Sequence, residues 1–297
     1  MVKNNKMLKK ETFIFLSFVV AFQFFTSCNA PKKQEQKQEQ ESKGKLFIIG
    51  GGSRPSAMID RIISESGIDK TGYGIILPMS SSEPDTSAYY AKKQFLIKNI
   101  ANVHALHFIK GEKFSSDKID SLKNASMIYI SGGDQNRFME VVQNTEIEKA
   151  IHEAYKNGSL IAGTSAGAAV MSKMMITGTE LKNLEYSSTF RNLQSENIEI
   201  KSGLGMIDNV IIDQHFVKRS RYNRLLSAVI EHPETTGIGI DESTAILIQG
   251  NNAEIVGEYQ VIVFKNPKKS KNLYQDKLGA HGITLDIYLA GETFTLN

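Results

Sequence analysis

The sequence predicts an α/β fold with three layers, in which a mainly parallel sheet carries helices on both faces. From residue 45 onward, short apolar runs alternate with amphipathic stretches, the pattern of consecutive β-α-β units. Glycine-rich or polar residues follow several apolar runs, as is typical of the carboxyl ends of parallel strands, where ligands bind. Beyond residue 231 the apolar runs become short and closely spaced, which predicts a β-rich C-terminal extension.

The order of the elements follows from these runs. Strands are predicted at residues 46–49, 74–78, 103–109, 127–130, 159–162 and 210–212. Helices are predicted at residues 57–65, 87–98, 117–123, 135–142 and 146–156. The C-terminal extension is expected to finish the sheet with antiparallel strands at 237–240, 245–248, 254–256 and 260–264. Residues 177–203 are polar and lack clear periodicity, so we expect a long loop or an excursion near the site.

The N-terminal residues predict an export signal. Lysines precede an apolar stretch at residues 13–25, which is short for a permanent membrane span. The following Thr-Ser-Cys resembles a bacterial lipobox, although Phe25 stands where many lipoboxes have leucine. We therefore expect a signal peptide at 1–27, lipidation of Cys28 and a polar tether at 28–44. The alternative is an ordinary cleaved signal with an incidental cysteine.

Charge and cysteine usage exclude several function classes. The formal net charge is +3, and residues 1–27 account for all of it with four lysines and one glutamate, so nothing indicates nucleic-acid binding. Cys28 is the single cysteine, which excludes disulfides and a cysteine nucleophile from the folded region. The glycines at 50–52 lack the G-x-G-x-x-G spacing of dinucleotide sites, and we expect neither a nucleotide cofactor nor a metal.

Residues 163–167 read Gly-Thr-Ser-Ala-Gly, between a predicted strand and a run of small helix-forming residues. This arrangement is typical of a nucleophile elbow, which presents a serine on a tight turn at the end of a sheet. Backbone N–H groups at the start of the next helix would stabilise an oxyanion beside Ser165. The alternative is a small-residue turn that only packs a helix on a strand.

A catalytic serine needs a base. Of the six histidines, His215 differs because it follows a predicted strand, which we expect in the same sheet as Ser165, within Asp-Gln-His-Phe. Two sources of an orienting carboxylate remain open. Asp213 stands two residues before the histidine, and the pair Asp241 and Glu242 ends a later predicted strand.

Three arginines follow this histidine, namely Arg219, Arg221 and Arg224. Planar guanidinium groups bind carboxylates through paired hydrogen bonds, so the cluster indicates recognition of a carboxylate-bearing substrate. The alternative is the solvated basic start of a helix.

Together these segments resemble the cyanophycinase family of serine peptidases, which also holds aspartyl dipeptidases. The resemblance covers about residues 46–264, and it rests on the ordered motifs at 132–135, 163–170, 203–205, 213–216 and 237–242 with the three arginines. It implies a fold like that of class I glutamine amidotransferases, with serine in place of cysteine.

The resemblance also implies residue roles. The catalytic residues would be Ser165, His215 and Glu242, and the N–H groups of Gly133 and Ala166 would form the oxyanion hole. The substrate-binding residues would be Gln135, Asp213, Gln214, Arg219, Arg221 and Arg224. The implied substrate is cyanophycin, a polyaspartate with arginine on each side-chain carboxyl, cut to β-Asp-Arg dipeptides. The arginines would meet substrate carboxylates, and Asp213 would meet a guanidinium.

The sequence thus predicts an exported serine exopeptidase, lipid-anchored to the bacterial cell envelope, with residues 45–297 as one catalytic domain. Its expected partners are cyanophycin or related aspartyl peptides, the membrane through Cys28, and a second copy in a homodimer. Two alternatives stay open. One is a peptidase of the same family that acts on other aspartyl or isoaspartyl peptides, and the other is a non-catalytic lipoprotein that binds acidic peptides.

Overall fold

The computed structural model describes residues 44–183, 185 and 189–296. The predicted signal peptide, the lipobox cysteine Cys28 and residues 28–43 of the predicted tether lie outside the described residues. Within the described part, no helix is both long and apolar enough to cross a bilayer.

The described residues contain sixteen strands and seven helices. The strands are β1 (Lys45–Ile49), β2 (Gly74–Leu77), β3 (Val103–Ala105), β4 (Met127–Ile130), β5 (Leu160–Thr164), β6 (Met174–Glu180), β7 (Ile198–Ser202), β8 (Val210–Gln214), β9 (Thr236–Ile240), β10 (Thr244–Gln249), β11 (Asn252–Gly257), β12 (Val261–Lys265), β13 (Asn272–Tyr274), β14 (Lys277–Gly279), β15 (Thr284–Tyr288) and β16 (Thr293–Thr295). The helices are α1 (Ser56–Ser66), α2 (Pro84–Leu96), α3 (Ser116–Lys123), α4 (Gln135–Val142), α5 (Glu146–Lys156), α6 (Ala166–Ala169) and α7 (Tyr222–Glu231).

The central sheet has eight strands in the spatial order β16-β11-β10-β1-β5-β4-β2-β3. The five neighbouring strands β1, β5, β4, β2 and β3 are parallel to one another. Strands β10, β11 and β16 extend the sheet with antiparallel pairs. Strands β1, β2, β4 and β5 are almost wholly buried, because both faces of such a sheet are covered, whereas the edge strand β3 is exposed at two of its three residues. The predicted α/β class is therefore confirmed.

Helices cover both faces of this sheet, as predicted. On one face, Phe47 and Tyr129 of the sheet pack in one apolar cluster with Ile62 of α1 and Phe95 of α2. Residues of the opposite parity, such as Ile48, pack in a second cluster with α3, α4 and α5. The two faces alternate along each strand because successive side chains of a strand point to opposite sides.

The C-terminal half departs from the predicted arrangement. Strands β8 and β9 are parallel to each other and belong to a second, four-stranded sheet of order β15-β12-β9-β8. The expectation that residues 210–212, 237–240 and 260–264 join the central sheet is therefore wrong, because β12 also belongs to the second sheet. Apolar runs identify strands, but they do not specify partners. The two sheets are joined by a shared core, in which Ile212 and Ile238 cluster with Ile48 and Ile246.

The predicted loop at 177–203 includes part of a β-ribbon, formed by the end of β6 and by β7, whereas the described residues between these two strands belong to no named strand. Strands β6 and β7 pair antiparallel, with a shift of register between Ile176 and Glu180. This irregularity breaks the alternation of apolar and polar residues, which explains why the sequence shows no strand periodicity there. Elsewhere, β3 is shorter than the predicted strand 103–109, and α2 begins at Pro84 rather than at residue 87.

Candidate active site

Ser165 lies on a sharp turn between β5 and α6. Its backbone has φ +54° and ψ −111°, a conformation that non-glycine residues rarely adopt, and its N–H donates to the carbonyl oxygen of Ile49 at 3.0 Å. Both flanking positions need glycine, because a side chain there would collide with the backbone. A Cβ at Gly163 would lie 2.2 Å from the carbonyl oxygen of Gly167, and a Cβ at Gly167 would lie 2.3 Å from that of Ile130. The pentapeptide therefore forms the strained elbow that its sequence predicts.

A chain of hydrogen bonds links this serine to a carboxylate. Ser165 Oγ lies 2.9 Å from Nε2 of His215, and Nδ1 of the same imidazole lies 2.7 Å from Oε1 of Glu242. The imidazole is largely buried, whereas the Glu242 side chain is 28% exposed. Serine, histidine and carboxylate thus stand in the order that nucleophilic catalysis requires.

The backbone around His215 explains how the ring reaches Ser165. The residue has φ +49°, and its N–H donates to the carbonyl oxygen of Gly50 at 2.7 Å, which docks the end of β8 against the end of β1. A Cβ at Gly51 would lie 2.3 Å from Cε1 of the imidazole, and one at Gly52 would lie 2.7 Å from Cβ of Glu242. The triple glycine after β1 therefore makes room for the imidazole and its carboxylate. The sequence pattern did not predict this role.

The electrostatic surroundings keep His215 neutral. Burial lowers the pKa of the imidazole from its usual 6.5, and the positive charges of Arg219 and Arg221 lower it further. The hydrogen bond and the charge of Glu242 act in the opposite direction without cancelling the decrease. A neutral imidazole accepts a proton at physiological pH, as a general base must.

The two other candidate carboxylates have different partners. Asp241 Oδ1 accepts a hydrogen bond from the backbone N–H of Lys218 at 2.9 Å. Asp213 is fully buried and accepts from Arg224. An extended chain would place the side chains of Asp213 and His215 on the same side, but the positive φ of His215 ends the alternation of β8. The carboxylate that contacts the imidazole is therefore Glu242.

The two residues predicted to form the oxyanion hole, Gly133 and Ala166, lie beside Ser165. A Cβ at Gly132 would lie 3.3 Å from Ser165 Cβ, so the Gly132–Gly133 segment passes close to the serine. A Cβ at Gly133 would lie 2.2 Å from the carbonyl oxygen of Ser80, which explains the glycine. Ala166 is the first residue of α6, where helical N–H groups have no intrahelical acceptor. Among the described residues, neither the Gly133 nor the Ala166 N–H has a backbone acceptor.

A cavity of about 290 Å³, here called the arginine cavity, opens beside Ser165. Its lining includes five of the six predicted substrate-binding residues, namely Gln135, Gln214, Arg219, Arg221 and Arg224. Its wall also contains polar residues that were not predicted as site residues, namely Asp134, Asn136, Thr177 and Thr179. The polar run at residues 177–203, predicted to be an excursion near the site, was the sequence signal for Thr177 and Thr179.

Asp213 is the exception. Its carboxylate is fully buried behind the cavity wall and holds Arg224 through two hydrogen bonds, one of them 2.6 Å from Nε to Oδ2. The expectation that it meets a substrate guanidinium is therefore wrong, because a side-chain guanidinium already occupies its oxygens. Its position makes it a positioning residue for the arginine.

The arginines are not a solvated basic face. Arg221 and Arg224 are buried, and Arg221 Nη1 donates to both the backbone oxygen and Oε1 of Gln214 at 2.7 Å. Arg219 is half-buried. On the opposite wall, Gln135 Nε2 donates to the carbonyl oxygens of Ile176 and Thr177, at 2.9 and 2.8 Å, and so fastens the β6 ribbon to the cavity.

Within the described residues, no group of three or more His, Cys, Asp or Glu side chains is arranged to hold a metal ion.

Comparisons with known proteins identify the family of this chain. The model of peptidase family S51 matches residues 46–256. A cyanophycinase of Nostoc sp. is 30% identical over 277 residues, which covers 89% of this chain and 90% of that protein. A cyanophycinase of Geminocystis herdmanii is 34% identical over 193 residues, which covers 63% and 67%. A peptidase E of Nostoc sp. is 23% identical over 174 residues, which covers 59% and 67%.

A solved structure shares the fold. The crystal structure of a peptidase from an acI-B1 actinobacterium superposes with a TM-score of 0.60 at 20% identity and covers 86% of this chain and 98% of that one. The resemblance found in the sequence motifs is therefore confirmed at the level of the family. This chain belongs to peptidase family S51 and is a serine peptidase.

Proposed function

We propose that this peptidase hydrolyses cyanophycin to β-Asp-Arg dipeptides, with Ser165, His215 and Glu242 as its catalytic residues. The observation that carries the proposal is the unbroken hydrogen-bond chain from Glu242 to Ser165 Oγ, where Ser165 forms part of the wall of the arginine cavity. The similarity to proteins named cyanophycinase supports the choice of substrate.

In the first half of the reaction, Ser165 Oγ attacks the scissile carbonyl carbon while His215 Nε2 takes the hydroxyl proton. Glu242 accepts the hydrogen bond from Nδ1–H and stabilises the imidazolium that forms. The Gly133 and Ala166 N–H groups donate to the developing oxyanion. The tetrahedral intermediate then expels the amine, which receives the proton from Nε2, and an acyl-enzyme remains.

In the second half, a water molecule takes the place of the departed amine. His215 Nε2 removes a proton from the water as its oxygen attacks the acyl carbon, and the same N–H groups stabilise the second oxyanion. Collapse returns the proton to Ser165 Oγ and releases the new carboxylate. The lowered pKa of His215 suits both halves, because the free imidazole starts each of them.

The arginine cavity matches the charges of the proposed substrate. Three guanidinium groups line it, and Asp213, which pairs with Arg224 and lies 3.5 Å from Arg221 Nη1, balances only part of their charge, so the cavity suits substrate carboxylates. Asp134 has an exposed carboxylate on the same wall. This carboxylate offers a partner for a substrate guanidinium, whereas the buried Asp213 does not. Cationic and anionic groups on one wall suit a substrate that carries arginine on an aspartate backbone.

A second candidate is hydrolysis of other aspartyl or isoaspartyl peptides, because the chain is also similar to proteins named peptidase E. Incubation of the purified protein with insoluble cyanophycin, and separately with an isoaspartyl peptide that lacks arginine, distinguishes the two. Mass spectrometry should detect β-Asp-Arg from cyanophycin at a much higher rate than any product of the other peptide. Faster hydrolysis of the arginine-free peptide would favour the second candidate.

We also propose that the enzyme is exported and anchored through acyl chains on Cys28. Lysines, an apolar stretch and the Thr-Ser-Cys sequence support this location. Several chains on one cysteine would anchor stably, because each buried methylene contributes about 0.8 kcal/mol. Labelling of cells with a fatty-acid analogue should mark the wild type and not Cys28→Ser. Equal recovery of both proteins in the soluble fraction, without label, would overturn this location.

A further inference from the structure

A second cavity opens on the other side of Ser165. It has a volume of about 250 Å³ and lies where β1, β4 and β5 end beside α2. The lining residues that matter here are Arg54, Gln94, Tyr129, Thr164, Ser165 and His215. The two cavities share Ser165, but His215 lines only this one and the three arginines line only the other.

Two buried hydroxyls lie in this second cavity. Tyr129 is 1% exposed and Thr164 is 6% exposed, and the two hydroxyls lie close to each other and to Gln94 without a hydrogen bond of standard geometry. Burial raises the pKa of the Tyr129 phenol, so the group keeps its proton and can donate it in a hydrogen bond. Hydroxyls in this position can donate to a polar group of a ligand that enters the cavity.

Arg54 supplies a cation to the same space. Its Nε donates to Gln94 Oε1 at 2.7 Å and its Nη1 donates to the carbonyl oxygen of Gly52 at 2.8 Å, which fixes the guanidinium plane. The remaining Nη2 has no acceptor among the described residues, and no Asp or Glu lines the cavity. A guanidinium with a fixed plane and neighbouring hydroxyl donors suits a carboxylate.

The position of His215 indicates which part of the substrate lies here. The imidazole that takes the serine proton must pass it to the leaving amine, so the amine and the residue attached to it lie on the histidine side. That side is the second cavity, because His215 lines it and does not line the arginine cavity.

We infer that the second cavity binds the leaving residue of the peptide and that Arg54 receives the free α-carboxylate of that residue, with the Tyr129 and Thr164 hydroxyls donating beside it. The inference rests on the proposed peptide hydrolysis. It assigns Arg54 as the residue that restricts cleavage to the last backbone bond, since only a chain-terminal residue carries a free α-carboxylate. Release of one backbone residue at a time follows from this contact.

Binding to the full chain carrying Ser165→Ala tests the inference without hydrolysis. The probes are β-Asp-Arg and the same dipeptide with its aspartyl α-carboxyl converted to an amide, each titrated calorimetrically. The free acid should bind about 10- to 100-fold tighter than the amide, as expected for a charge-assisted contact. Adding Arg54→Gln should abolish this preference, and adding Tyr129→Phe should reduce it.

Arg219→Gln is the matched control, because it removes a guanidinium from the arginine cavity only. It should keep the preference for the acid, because Arg219 does not line the second cavity. A preference that survives Arg54→Gln, that disappears in Arg219→Gln, or that is absent from the Ser165→Ala parent would overturn the inference, as would failure of both probes to bind. If the preference follows Arg54 but the wild type leaves cyanophycin intact, the proposed substrate fails and the assignment of the cavity stands.

Discussion

The Nδ1 atom of His215 lies 2.7 Å from Oε1 of Glu242, although the two residues are 27 positions apart in the chain. Parallel pairing of β8 with β9 explains the meeting, because Gln214 pairs with Ile240 and the two strands end side by side. Each residue follows the end of its strand, so the second sheet delivers both to the serine, which the central sheet presents.

Glu242→Gln should lower kcat by roughly 10³- to 10⁴-fold, since an amide neither holds the required tautomer nor stabilises the imidazolium. Steady-state kinetics on the preferred substrate measures the effect. The surface variant Glu140→Gln, whose side chain is exposed, should match the wild type. A Glu242→Gln enzyme within tenfold of the wild type would transfer the orienting role to another group.

Gly51→Ala should abolish most activity while the protein stays folded. Its Cβ would lie 2.3 Å from Cε1 of His215, so the ring would have to leave Ser165. Gly67→Ala is the control, because Gly67 also has positive φ but nothing lies within 4 Å of its Cβ position. That variant should lose about 1 kcal/mol of unfolding free energy and keep its activity. Equal activities of the two variants would contradict the proposed position of the His215 imidazole against Gly51.

Arg224→Gln should lower the free energy of unfolding by about 1.5–3 kcal/mol, because the fully buried Asp213 carboxylate loses two charge-assisted hydrogen bonds and keeps only Arg221, at 3.5 Å, as a cation. Arg219→Gln should change stability by no more than about 0.5 kcal/mol, because Arg219 is half-buried and the variant leaves that pair intact. It should instead weaken substrate binding by about 1–3 kcal/mol. Urea unfolding and KM measurements separate the two effects, and similar losses of stability would refute the distinction.

The pH profile should show an acid limb below pH 6.5. His215 must be neutral to accept the serine proton, and burial lowers its pKa below that usual value, so kcat/KM should fall only as pH drops through the depressed pKa. Arg219→Gln removes a positive charge that disfavours the imidazolium, so the limb should move to higher pH. A limb that stays in place or moves to lower pH at low ionic strength would contradict this electrostatic account.

The sequence predicted the parallel part of the central sheet well. Strands such as β2 and β4 are buried on both faces and therefore read as continuous apolar runs, with helices between them. Sheet membership of β8 and β9 was not predictable, because their apolar runs suit either sheet. The β6 ribbon escaped detection because its register shift disrupts the alternation.

The site was predictable where chemistry depends on local sequence. Ser165 and His215 stand at recognisable strand ends, and the glycines around the serine signal a tight turn. The choice between Asp213 and Glu242 was not predictable from the sequence, because it depends on the backbone turn at His215 and on burial of the Asp213–Arg224 pair. The same holds for Gly51, whose role appears only when two distant strand ends meet.

Reaction with a fluorophosphonate tests the central claim most directly, because the reagent modifies only an activated serine and also separates an enzyme from a non-catalytic binder. Intact-mass spectrometry should find a single adduct on the wild type, fragmentation should place it on Ser165, and Ser165→Ala should remain unmodified. Absence of an adduct on folded wild type, or an adduct that persists in Ser165→Ala, would contradict the account.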